Sequence, residues 1–218
     1  MASHSSVLIA GGAGFVGSNV ALSLRRAYPD VRIVAADNLK RRGSEWNLPR
    51  LAAGGIAFVH ADVRRPDDLV FGTAFDLVVD CSAEPAVLAA YDSGPSYVID
   101  TNLTGTVNLL EVARRDGADV VFVSTSRVYP IAALDAIRWH EEATRFAILA
   151  EQTLPGVSAA GIGEDFPLTG PRSLYGTTKL ACELILEEYA DMYGLRYVID
   201  RCGVITGPWQ MGKVDQGV

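Results

Sequence analysis

Short runs, apolar save for Arg32, punctuate the chain: Val7 to Ala10, Val31 to Ala36, Ile56 to Val59, Leu77 to Val79, Val120 to Val123 and Tyr197 to Ile199. Runs of this length read as strands. Because they are otherwise apolar instead of alternating, both faces of their sheet are expected to be covered. The segments between them carry the helical period. Gly14 to Tyr28 sets Val16, Val20 and Leu24 four positions apart and is closed by Pro29. Asp100 to Arg115 is a second candidate helix. A third runs from about Leu174 to Tyr193, with Ser173 as N-cap and Gly194 where a left-handed cap belongs. Alternating strands and helices predict an α/β fold, a doubly wound parallel sheet with helices on both sides. From Pro130 to Pro171 the rhythm fails, with Gly156, Gly161, Gly163 and Gly170 among residues of mixed polarity. This stretch, about 130–171, is expected to be an insertion beside the site within a single domain spanning 1–218.

The first candidate chemistry follows the first strand. Gly11, Gly14 and Gly17 form a GxxGxxG in which a helix begins. Such glycines let the chain turn sharply and bring backbone amides up to a pyrophosphate, whose charge the helix N-terminus favours. A plain glycine turn is the alternative, but the flanking strand, the helix and a downstream acid fall in register with dinucleotide binding. The acid is Asp37, twenty positions beyond Gly17 at the end of the second strand, where a carboxylate accepts hydrogen bonds from ribose hydroxyls. NAD is therefore expected over NADP, whose 2′-phosphate would face this carboxylate. Lys40, Arg41 and Arg42 follow directly, either as a solvated turn or as partners for such a phosphate.

Tyr175 and Lys179 form a YxxxK at a helix start, which sets both side chains on one face. A tyrosine working as proton acceptor near pH 7 needs its pKa, ordinarily near 10, lowered by about three units, or about 4 kcal/mol. A neighbouring ammonium and a cationic nicotinamide ring can supply that. A surface helix carries such a pair by chance often enough that partners are required. Ser124, Thr125 and Ser126 supply candidates, since ligands of open parallel sheets sit at the carboxyl ends of strands.

Composition narrows the partners. The chain has 218 residues and a formal net charge of −7, which repels nucleic acid and anionic membranes. Neither is expected as a partner. Cys81, Cys182 and Cys202 are odd in number and lie in apolar surroundings, as buried thiols of a reducing cytoplasm do. No run reaches the roughly 18 to 20 apolar residues of a membrane span. His4, His60 and His140 are too scattered for a metal site, and none is expected.

In order, GGAGFVG, Asp37, Asp62, Asn102, STSRVYP, YGTTK and RCGVITGP resemble the extended short-chain dehydrogenase/reductase family along essentially the whole chain. DNLKRRGSEWNL, FVHADVRR, TNLTGTVNLLE and EEATRF further resemble those NAD-dependent epimerases that act on a CDP-linked sugar. The resemblance implies a Rossmann fold with NAD as cofactor. Gly11, Gly14, Phe15, Val16 and Gly17 would hold its pyrophosphate, Asp37 a ribose, Asp62 and Val63 the adenine, with Asn38 and Asn102 also at the cofactor. It implies Thr125 as the catalytic hydroxyl, four positions before Tyr129, Tyr175 as acid/base, and Lys179 lowering the pKa of Tyr175 while binding the nicotinamide ribose. The implied reaction is epimerisation of a nucleotide sugar through a transient ketone, in a homodimer.

The sequence departs from the family pattern in three places. CSAEPAV brings Cys81, Glu84 and Pro85 where relatives show H-x-A-A/G, and Pro130 replaces a glycine. Relatives usually continue for about a hundred residues more, so the substrate-binding lobe is expected to be largely missing. The related 4,6-dehydratases carry Asp and Glu after the catalytic Thr; Ser126 and Arg127 stand here, which argues for simple oxidation and reduction. Alternatives from the residues are a reductase of another small alcohol and a cofactor-binding protein without chemistry.

Overall fold

The computed structural model describes residues 4–88, 90 and 94–212. Strands β1 (Ser6–Ala10), β2 (Arg32–Asp37), β3 (Ala57–His60), β4 (Leu77–Asp80), β5 (Asp119–Thr125) and β10 (Tyr197–Cys202) form one sheet in the order β10-β5-β4-β1-β2-β3. All five pairings are parallel. The chain winds outward from β1 through β2 to β3, then crosses to β4 and winds the other way. This leaves a topological switch point, and hence a crevice, at the carboxyl ends of β1 and β4.

The apolar runs supply both faces at once. In β1, Val7 and Ile9 join a cluster with Ala21, Ile33, Ala35, Leu51 and Val79, under α1 (Phe15–Ala27) and α2 (Leu48–Ala53). Leu8 and Ala10 point the other way, toward Val78, Phe122, Leu109, Leu110, Cys182 and Leu186. Each such buried side chain contributes about 1.5 to 3 kcal/mol of transfer free energy. Covering is incomplete at the edges: Ala57 of β3 and Tyr197 and Val198 of β10 are exposed although their runs are apolar.

The long helix expected from Asp100 begins earlier. Pro95–Ile99 forms α3, which passes through a π-turn at Asp100–Thr104 into α4 (Gly105–Asp116). Helix α6 spans Leu174–Tyr193; Ser173 accepts a hydrogen bond from the Gly176 N–H at 3.1 Å, and Gly194 has φ 70°, so both expected caps form. Between β5 and α6, the irregular stretch holds α5 (Ile131–Asp135) and two small hairpins, β6 (Trp139–Glu141) with β7 (Phe146–Ile148) and β8 (Val157–Ser158) with β9 (Gly161–Ile162). It has its own small core around Val128, Tyr129 and Phe166. No helix among the described residues is long and apolar enough to cross a membrane.

Candidate functional site

The glycine loop leaves β1 and turns at Gly11, whose φ of 69° is left-handed backbone that suits glycine. Its carbonyl accepts the Gly14 N–H at 3.0 Å, and a Cβ on Gly17 would stand 2.3 Å from that same oxygen. Any side chain at Gly17 would push α1 off the loop. Gly14 caps α1 without a side chain. Helix geometry denies the first N–H groups an acceptor within α1, so Phe15, Val16 and Gly17 present donors to the crevice.

The Asp37 carboxylate accepts from Leu39 N at 2.8 Å and Ala13 N at 3.2 Å, tying the end of β2 to the loop. Burial raises its pKa, and these amide bonds oppose the rise. Together the loop and Asp37 open on a cavity of about 780 Å³, also lined by Asn38, Lys40, Arg41, Arg42, Val63, Tyr97 and Thr101. That size suits a small-molecule or cofactor site. Among the described residues no group of three or more His, Cys, Asp or Glu is arranged to hold a metal.

The expected residues divide here. Asp62 faces Arg64, whose bonds at 2.9 and 2.6 Å hold its carboxyl well below the usual range, and Asn38 donates to it at 3.2 Å. Asn102 is fully buried on the π-turn: its carboxamide oxygen accepts the Glu84 N–H at 2.8 Å, and its nitrogen donates to the Glu84 carbonyl at 3.3 Å and Thr178 at 3.2 Å. It pins the CSAEPAV loop to α6, with Glu84 at the cavity wall. Its neighbour Thr101 also lines the cavity and has a buried hydroxyl with no hydrogen-bond partner among the described residues. A polar ligand atom is what such a group lacks.

Of the three hydroxyls ending β5, Ser124 is committed: it donates to Glu183, which receives Arg201 at 2.7 Å. Thr125 is free of that network, and its hydroxyl lies near enough to the Tyr175 phenol to act on its pKa. Its Oγ1 also accepts the Arg127 N–H at 3.2 Å, so the turn after β5 and the start of α6 meet at this pair. Burial raises the Tyr175 pKa; Thr125 and Arg127 oppose the rise, while Cys202 adds to it. Lys179 is turned inward, only 1% exposed, with Nζ 3.9 Å from the centre of the Phe122 ring and with Asp80 among its charged neighbours. Burial lowers its pKa.

The thiols flank Lys179 and are inert by the same physics. Burial pushes Cys81 up to about 12, and Cys182 and Cys202 up to about 11. Only the thiolate reacts. From an ordinary 9.0, two units leave about a hundredth of the thiolate at pH 8. We expect a disulfide-exchange reagent to report no fast thiol in the native chain and three after denaturation; a rapid native reaction would contradict this burial.

Sequence reasoning missed Tyr97, Thr101 and the segment Trp209 to Gly212, all at the cavity wall. Their positions on the chain carry no motif, and only folding brings them to the glycine loop.

The family described as NAD dependent epimerase/dehydratase matches residues 7–218. CDP-paratose 2-epimerase of Salmonella typhi is 30% identical over 218 residues, 97% of this chain and 60% of that protein. The dTDP-glucose 4,6-dehydratase of Mycobacterium tuberculosis is 30% identical over 94% of this chain and 54% of its own length. In fold, the crystal structure of UDP-glucuronic acid 4-epimerase from Bacillus cereus, solved with UDP-glucuronic acid and NAD, gives a TM-score of 0.71 at 22% identity, over 94% of this chain and 58% of that one. The chain thus spans little more than half the length of these relatives.

Proposed function

Because the chain belongs to the NAD-dependent epimerase/dehydratase family, we propose that it binds NAD in the glycine-loop cavity and serves the epimerisation of a nucleotide-linked sugar, with a CDP-sugar favoured. The carrying observation is the glycine-loop cavity with the Asp37 carboxylate in its wall, in a chain that also brings Thr125 and Tyr175 together at the carboxyl end of β5. The residues fit a dinucleotide: the Gly17 contact tolerates no side chain, and the buried Thr101 hydroxyl in the cavity wall has no partner among the described residues.

In this reading Gly11, Gly14, Phe15, Val16 and Gly17 bind the pyrophosphate. Asp37, with Asn38, reads the adenosine ribose, and Val63 with Asp62 borders the adenine. Asn102 acts by holding the Glu84 loop. Bound NAD would take a hydride from a sugar carbon and return it to the opposite face, so that the carbon is inverted and the cofactor restored. Tyr175 takes the hydroxyl proton as the ketone forms and gives it back, while Thr125 hydrogen-bonds the same oxygen. Lys179, on the same helix as Tyr175 and against the Phe122 ring, would bind the nicotinamide ribose and lower the Tyr175 pKa.

Loss of water would need a further acid and base beside this pair. Ser126 and Arg127 follow Thr125, and neither is a carboxylate, which favours epimerisation over 4,6-dehydration. A homodimer through α4 and α6 is in keeping with the exposure of Leu184, Met192 and Tyr193 on α6.

Calorimetric titration with NAD and then NADP tests the cofactor reading. NAD is expected to bind at least about tenfold more tightly, because a 2′-phosphate beside Asp37 meets like charge. Equal affinity would mean that Lys40 to Arg42 receive the phosphate; no binding of either would refute the reading.

A further inference from the structure

The chain beyond β10 turns back to form part of the cavity wall. Gly207 lies against the Phe15 ring, and Asn19 Nδ2 donates to the Pro208 carbonyl at 3.1 Å. The Arg50 guanidinium sits 4.3 Å from the centre of the Trp209 ring. Arg41 Nη2 donates to the Met211 carbonyl at 2.8 Å, and the Met211 side chain fills the space where a Cβ on Gly43 would stand. One short segment thus touches both the pyrophosphate loop and the turn after Asp37. Trp209, Gln210, Met211 and Gly212 line the cavity beneath it.

Trp209 holds φ at 69°, an unusual conformation for a bulky residue that persists only where surrounding contacts enforce it. Those contacts come from α1, α2 and the turn after β2, with partners 159 to 192 positions apart in the chain.

We propose that residues 207–212 form a strap that retains the dinucleotide, with Trp209 stacked on Arg50 as its clasp. The proposal rests on the reading of the cavity as an NAD site. The strap closes over the adenosine and pyrophosphate end and leaves Thr125 and Tyr175 beyond it, so a substrate can come and go while the cofactor stays. A reaction that restores its cofactor in every cycle needs no exchange, and slow release suits it.

Retention is a property of the dissociation rate. The 218-residue chain and its Trp209→Ala, Arg50→Met and double variants would be loaded with radiolabelled NAD and chased with excess unlabelled NAD. Trp209→Ala is expected to release label about tenfold faster, with association changed by less than about threefold. Arg50→Met, which removes the other half of the same stacking pair, should also speed release. The double variant should release no faster than Trp209→Ala, since both changes break one contact. Release at the wild-type rate from both single variants would overturn the strap and leave the NAD site standing. Failure of all four proteins to bind NAD would overturn both.

Discussion

Tyr175→Phe is expected to lower sugar epimerisation by about 10² to 10⁴ while leaving NAD affinity within a factor of about three. The phenol is half-buried, close to Thr125, and raised in pKa first by that burial. It therefore stays protonated near neutral pH and becomes an effective acceptor only when positive charge arrives. Arg127 supplies part of that charge already. A cationic nicotinamide ring would supply the rest, because a charge beside a desolvated phenol acts through a low dielectric. Paired titrations and turnover assays separate the two roles. Near wild-type turnover in the variant would remove Tyr175 from the chemistry.

Gly176→Ala is expected to be nearly as damaging, although the residue carries no chemistry. A Cβ there would stand 2.0 Å from the Arg127 carbonyl oxygen and 2.9 Å from its carbon, both backbone atoms. Neither can rotate away, so α6 and the turn after β5 must separate. Overpacking of this kind costs about 1 to 3 kcal/mol, a fall in Tm of roughly 3 to 10 °C for a domain of this size. The same separation pulls Tyr175 from Thr125, and misplacement by about 1 Å can cost about a hundredfold in rate. Thermal unfolding and turnover would be measured beside Thr177→Ala, whose exposed side chain points away from this contact. A variant that matches the control in both measurements would contradict the close approach.

Much of the fold was legible because its signals are local. The strand runs, the period of α1, the Ser173 and Gly194 caps of α6 and the glycine loop each depend on residues within a few positions of one another, and each formed as expected. The helix expected from Asp100 was misjudged at its start: Pro95 opens it, and the π-turn at Asp100–Thr104 breaks its period. The stretch 130–171 gave no period, since its two hairpins are only two or three residues per strand.

The sequence by itself determined the class of fold, the strand ends on which the candidate residues stand and the glycine loop that begins α1, all set by backbone geometry and short-range pattern. The tertiary structure decided which groups are left to act. Ser124 gives its hydroxyl to Glu183, 59 positions away, and so leaves Thr125 as the strand-end hydroxyl near Tyr175. Asn102 is spent on the Glu84 backbone, Asp62 on Arg64, and Lys179 is turned against Phe122. The strap over the cavity joins Met211 to Arg41, 170 positions apart. Hydrogen bonds and burial between such distant segments depend on how the layers pack, and no local pattern of residue types encodes them.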